Sequence, residues 1–422
     1  MTNSEHWDWD TGRKPVADIT QWQEQFPYME ETYISPDGET IAAIVRNEDM
    51  EFSVATQTSD TDMSSWENTY DKVWNLRFGP DGRLSALVSD AAEWTVSTDD
   101  TPWENTFDFV WDMRFSDTGD SVAVSTQKEL LYCTAINDAP WDDTYSRLSE
   151  MILSSDGEKT AAVVEAIPVL ESEIFKFRKG CYTIAVDGKP WNINFMNLWE
   201  PCFSSDATKA AASVRTSYFD YSIAVNGVMW DKSFSSVWGP LFSPSDNSVV
   251  APVKTGGKWF LAKDGQILWD RPYAQLWHPE FSKDGKAIAA IVAPQYGRWT
   301  IAVNNSPWSI LFSDYVTDLC LTPDGKRAAC VFKDNGTWGI AVDGQAWKDR
   351  FDMTWKPVFS ADGKNVAAKV EHKGIFRIML NGTLLPETYS RVENPLFSPD
   401  STRLLVRGMD KTRCYRDVIA VG

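Results

Sequence analysis

A short landmark of one apolar residue, one small polar residue and a turn recurs ten times along this chain. It reads "ISPDG" at Ile34, "FGPDG" at Phe78, "FSDTG" at Phe115, "LSSDG" at Leu153 and "FSSDA" at Phe203. It continues as "FSPSD" at Phe242, "FSKDG" at Phe281, "LTPDG" at Leu321, "FSADG" at Phe359 and "FSPDS" at Phe397. Successive copies stand 44, 37, 38, 50, 39, 39, 40, 38 and 38 residues apart. A repeat of this length is one supersecondary unit that buries its apolar face against its neighbours, so the period decides the architecture before any local reading does.

Each unit reads as four short strands. The first runs into the landmark, as in "WKPVFS", and Pro-Asp-Gly supplies the turn, proline presetting φ and glycine accepting a positive one. An alanine-rich apolar strand follows ("KNVAAKV", "KAIAAIV"), then "WTIAV" or "WGIAV", closed by an Asp-Gly or Asn-Gly hairpin turn. The fourth carries a tryptophan, as in "QAWKDRF". Four strands in about 40 residues is the period of a β-propeller blade. The fold predicted is an all-β, single propeller of ten blades over residues 18–422, preceded by a polar tail, residues 1–17. "RDVIAVG" ends the chain on a third strand, and "ITQWQEQF" near its start reads as the missing fourth. The N-terminal segment is therefore expected to complete the last blade and close the ring, leaving no free edge.

The 21 tryptophans sort by repeat position. One set follows the hairpin turn, from Trp22 and Trp66 to Trp308 and Trp347. A second stands four residues before the landmark (Trp74, Trp111, Trp199, Trp238, Trp277, Trp355), and a third opens the third strand (Trp94, Trp259, Trp299, Trp338). Residues repeated in nearly every unit are expected to pack unit against unit, with large apolar area and one indole N–H to place. The second set, on the innermost strand, has the alternative of facing a central channel.

The search for chemistry returns little. There is no GxSxG, HExxH, P-loop or GxGxxG pattern, and three histidines (His6, His278, His372) are too scattered to suggest a metal cage. Six dispersed cysteines without a CxxC pair exclude covalent haem and give no iron–sulfur pattern; they read as small apolar residues. The repeated aspartates (Asp37, Asp81, Asp156, Asp284, Asp324, Asp362) read as turn residues satisfying local N–H groups. No catalytic residue, metal or cofactor is expected. The formal charge of −20 argues against nucleic acid and against adsorption on anionic lipid, and permits a basic protein partner. With no apolar h-region in "MTNSEHWDWDTGRK" and no apolar run of the roughly 20 residues that span a bilayer, the chain reads as soluble and cytoplasmic.

Function is expected where the repeat breaks. The longest interval contains "EAIPVLESEIFKFRKG", residues 165–180, placed between a second and a third strand. Ile174, Phe175 and Phe177 alternate there with Lys176, Arg178 and Lys179. A docking loop and a longer hairpin covering its own blade are equal alternatives. In the tail, Trp7 and Trp9 either anchor a neighbouring subunit or fold back on the ring.

The pattern "FSPDGKxxA" followed by "IAVDGxxW" resembles WD-repeat-like and TolB-type propellers. Full-length repetition of W-x-I-A-V-x-G/N-x-x-W, with the tryptophan content and size, is similar to the tryptophan-rich D subunits of Tmc, the transmembrane electron-transfer complex of sulfate-reducing bacteria. That resemblance implies a non-catalytic cytoplasmic accessory subunit beside an iron–sulfur subunit and a cytochrome b-type subunit. A multihaem cytochrome c would stand on the periplasmic side, and the membrane would be reached through partners rather than by insertion. No functional residues carry over from the family. The alternatives are a free protein- or peptide-binding propeller and an enzyme with a channel-mouth site.

Overall fold

The computed structural model describes residues 4–59, 61–170 and 172–422. Ten antiparallel sheets follow one another in sequence order, one per landmark, as a ten-bladed β-propeller; they are numbered here as blades 1 to 10. Blade 8 is representative: Tyr315–Leu321, Ala328–Asp334, Thr337–Val342 and the two-residue Gln345–Ala346 pair in order from the channel outward. The second strand is the buried one. Ala328, Ala329, Cys330, Val331 and Phe332 lose all or nearly all exposure, because blades lie on both faces of it and only small side chains let them approach.

The core is distributed around the ring as wedges between blades. One wedge joins Ile291 and Ile301 of blade 7 to Leu319, Cys330 and Phe332 of blade 8, and the next joins Ile340 and Val342 to Val366 and Met379 of blade 9. Phe312 and Phe332 stack with ring centroids 4.0 Å apart, and Gly339 leaves room for them: a Cβ there would stand 2.6 Å from Phe332 Cζ.

The landmark is a hydrogen-bonded turn. In blade 9, Ser360 Oγ–H donates to Asp362 (2.6 Å) while Ser360 Oγ accepts the N–H of Asn365 (3.0 Å), and Asp362 accepts the N–H of Lys364 (3.1 Å). The same set recurs at Ser154, Ser204, Ser282, Thr322 and Ser398. The aspartates therefore have the turn role their sequence position implied.

An N-terminal strand closes the ring, but it lies upstream of "ITQWQEQF". Gly12–Asp18 pairs antiparallel with Arg413–Ala420 of blade 10, from Gly12 opposite Val418 to Asp18 opposite Arg413. Residues 12–17 of the segment read as tail thus belong to blade 10. Pro15 is tolerated because this is an edge strand and its register shifts between Pro15 and Ala17. Residues Thr20–Gln25 form a short helix, α1, which carries Trp22 into the junction of blades 10 and 1 beside Ile34, Val45 and Cys414. The junction is also wired by arginine. Arg416, with no side-chain exposure, donates to Asp37 O (2.8 Å) and pairs with Glu39 (2.9 Å); Arg407 donates to Ser35 O (3.1 Å) and Asn394 O (3.0 Å).

Candidate docking face

The innermost strands line the channel and most are broken by a bulge. In blades 2, 3, 4, 5, 7 and 8 the ladder shifts register just before the landmark. The residue three positions before the landmark takes a positive φ: Asn75 (54°), Asp112 (54°), Glu150 (51°), Glu200 (51°), His278 (46°) and Asp318 (51°). Such bulges re-aim side chains, here polar ones along the channel wall. Glu150 accepts the backbone N–H of Glu200, and burial raises its pKa; burial raises that of Asp318 too, against the pull of Lys356. Lys356 of blade 9 reaches past blade 8 to Glu280 of blade 7, 2.9 Å away. A cavity of about 1070 Å³ lies against blades 1 to 5 and 10, between Arg77, Asp112 and Arg114 and the apolar Phe78, Phe115, Ile152 and Phe203. Among the described residues, no group of three His, Cys, Asp or Glu is placed to hold a metal ion.

The tryptophans after the hairpin turns clamp blades together. Trp141, Trp191, Trp230, Trp308 and Trp347 each lie against the turn glycine of the following blade: Gly188, Gly227, Gly265, Gly344 and Gly382. Trp141 also donates its indole N–H to Thr160 of that blade (2.9 Å). Where the turn has aspartate instead, the carboxylate reaches back: Asp100 and Asp138 accept N–H groups at Glu67 and Glu104 of the preceding blade (2.7 and 2.8 Å).

The two faces of the ring differ. One carries the landmark and hairpin turns with their aspartates. The other carries the connections between second and third strands, the starts of the inner strands, and most of the exposed large apolar side chains. Leu130, Phe175, Phe219 and Tyr296 are 77%, 77%, 82% and 91% exposed there. The tryptophans four residues before the landmark open onto this face. Three of the six stack on the aromatic that opens the third strand of their own blade: Trp277 on Trp299 (4.5 Å), Trp238 on Trp259 (5.6 Å), Trp199 on Tyr221 (6.2 Å). Trp238 stays 42% exposed beside a cleft of about 360 Å³ that also holds Trp277 and His278. In blades 2 and 3 the aromatics run on from Trp74 through Phe109 to Trp111 and Tyr132, at 6.3, 5.9 and 6.0 Å.

The insertion lies on this second face. Ile174–Lys179 forms a helical turn and a half, α2, rather than an extended hairpin. Ile174, Phe175, Arg178 and Lys179 are exposed, whereas Lys176 and Phe177 are half-buried, Lys176 pairing with Glu173 (3.5 Å). Arg178 lies over the ring of Tyr218 in blade 5, 5.1 Å from its centre. Trp7 and Trp9 are on the opposite face, half-buried and stacked on each other at 6.0 Å; Trp9 donates to Ser4 O and the carbonyl of Asp8 accepts from Arg416. The two candidate groups are therefore not parts of one site. Phe219 and Tyr296 were missed by sequence reasoning, although "SYFD" and "QYGR" place an aromatic where a turn expects a polar residue.

Comparison with solved structures shows the fold alone. A crystal structure of a eukaryotic initiation factor is similar at a TM-score of 0.50 and 12% identity, over 85% of this chain and 95% of that one. TolB from Acinetobacter baumannii is similar at 0.30 and 15% identity, over 74% and 79%. No protein-family model matches the chain, and a search of curated proteins finds no relative. No helix among the described residues is long and apolar enough to cross a membrane.

Proposed function

We propose that this chain is a non-catalytic accessory subunit of a membrane-bound electron-transfer complex, a rigid ring on which redox subunits dock from the cytoplasmic side. The partners expected are an iron–sulfur subunit and a cytochrome b-type subunit, with a multihaem cytochrome c held indirectly. One observation carries the docking role. The stack of Trp74, Phe109 and Trp111 leaves Trp74 48% and Phe109 38% exposed, beside Leu130 and Leu131, 77% and 43% exposed. Exposed aromatic and aliphatic anchors grouped on rigid strands are what protein interfaces bury at their centres. On the same strand ends and connections the acids Asp71, Asp90, Glu93, Asp108 and Glu129 outnumber the exposed Lys72 and Lys128, so the partner surface that fits is basic and apolar. The redox assignment rests on the repeat pattern and its resemblance alone.

The test is recovery of the tagged chain from gently solubilised membranes of its own organism. Iron–sulfur and cytochrome subunits should co-purify with the wild type and be lost from Trp74→Ala/Leu130→Asp. Partners without redox centres would make the chain a free protein-binding propeller, and recovery as a lone monomer would end the scaffold reading.

A further inference from the structure

On the same face, blades 4 to 7 carry a different chemistry. Arg178 and Lys179 of α2, Arg215 of blade 5, Lys254 and Lys258 of blade 6 and Arg298 of blade 7 follow one another around adjacent blades. None of the six forms an ion pair among the described residues. Among the described acids nearby, Glu165 is buried, Glu173 pairs with Lys176, Asp220 accepts from Ser217 Oγ (2.5 Å), and Asp334, which lies within electrostatic reach of Arg298, accepts from Ser313 Oγ (2.6 Å). On a chain of charge −20, this arc is a local basic surface.

Its most exposed apolar residues stand at the tips of three connections. Leu170 and Phe175 on the connection of blade 4, Phe219 on that of blade 5 and Tyr296 on that of blade 7 are 71%, 77%, 82% and 91% exposed. Behind them are cation–aromatic pairs: Arg178 and Arg215 over Tyr218 (5.1 and 5.7 Å) and Lys254 over Trp259 (5.8 Å). A protein hot spot is a packed patch fitting a pocket. Nearly free aromatic tips on three separate connections, flanked by cations, instead match a bilayer interface, where rings settle at headgroup level and lysine and arginine meet phosphate.

We infer that the arc over blades 4 to 7 is a direct docking surface for an anionic phospholipid membrane, with Phe175, Phe219 and Tyr296 entering the headgroup region. The net charge of the whole chain does not forbid this. Screening confines each charge to within about 10 Å at ordinary salt, so the membrane meets the arc and not the acidic landmark face. The inference is independent of which proteins the ring carries.

The test uses the purified full chain and vesicles of equal parts phosphatidylglycerol and phosphatidylcholine, with pure phosphatidylcholine alongside. Co-sedimentation is expected with the first only, weakening as salt rises. Lys179→Gln/Lys258→Gln should lower the partition coefficient about thirtyfold, from about 1 kcal/mol for each cation at the surface. Phe175→Ser/Phe219→Ser should lower it comparably at unchanged salt dependence. Amide exchange should slow on the connections of blades 4 to 7 alone, and Trp74→Ala should bind vesicles as the wild type does. No sedimentation with the anionic vesicles, or binding unchanged in both double variants, overturns the inference. So does loss of a protein partner from those variants without any vesicle binding, which would make the arc a protein interface. Failure here leaves the co-purification expected for blades 2 and 3 standing.

Discussion

The ring of Trp308 in blade 7 lies against Gly344 in the hairpin turn of blade 8, where an added Cβ would stand 3.3 Å from Trp308 Cγ. Gly344 also has φ +75°, a conformation L side chains adopt only with strain. Gly344→Ala should therefore destabilise by about 1–2 kcal/mol through backbone strain and contact together. In a Trp308→Ala background the same change should cost less, because the contact is gone. Denaturant unfolding of the four variants measures that coupling, and strict additivity would mean the two residues do not act on each other.

Burial separates the tryptophans that share a repeat position. Trp22 is 1% exposed and donates to Gln57 (3.2 Å), so Trp22→Ala should cost about 3–5 kcal/mol. Trp347 is half-buried, and Trp347→Ala should cost less, about 2 kcal/mol. Equal losses would contradict the assignment of Trp22 to the ring junction.

The landmark aspartates set an acid limit. Hydrogen bonds from Ser360 and Ser398 hold Asp362 and Asp400 down at about 2, below the ordinary 3.8. Asp206, through Ser204, and Asp324, through Lys326 and Thr322, are held lower than usual as well. A depressed folded pKa stabilises fully above the unfolded value and is lost as pH falls through the folded one. Stability should thus be flat near neutrality and decline between about pH 4 and pH 2. Ser360→Ala should return Asp362 towards 3.8, as read by NMR titration; an Asp362 that already titrates there in the wild type refutes the turn network.

Burial also pushes the thiols of Cys202, Cys320 and Cys414 up to about 12, and raises that of Cys330 well above the ordinary thiol value. Disulfide-exchange reagents at neutral pH should label these cysteines only on unfolding, since the thiolate is the reactive form. Rapid labelling of Cys330 in the native chain would show that blades 7 and 8 open locally.

Arg416 joins Asp37 and Glu39 of blade 1 to blade 10 from a fully buried position. Arg416→Ala should destabilise by about 2–3 kcal/mol and release the amide protons of residues 12–18 first. Removing residues 1–11 should leave the ring closed, whereas removing residues 1–18 should not, because the strand itself goes. Identical exchange rates at Val16 and Val418 in Arg416→Ala and wild type would show that closure does not depend on the arginine.

Blades were legible because their signals are local: Ser360, Asp362 and Gly363 make one turn within a few residues, wherever they sit in the ring. The junction was not. Trp22 and Phe26 stand four apart, a spacing that suits both a helical turn and the blade register seen at Trp308 and Phe312, and the helix is what forms. "GRKPVAD" hides a strand behind Pro15 and two cations, and Arg407 and Arg416 read as surface charges until their partners nearly 400 residues away are known. The docking face was illegible too. Phe175, Phe219 and Tyr296 all lie on connections between second and third strands, but those connections differ in length and composition from blade to blade, so no repeated residue marks them.

The pairing of Gly12–Asp18 with Arg413–Ala420 specifies which strand fits the last edge, but not which copy of the chain supplies it. Two rings opened at this edge would satisfy the same register by trading these residues, and the exchanged dimer would hold no strand pairing absent from the monomer. The seam that completes the ring is thus also the place where a concentration-dependent exchange between copies would begin.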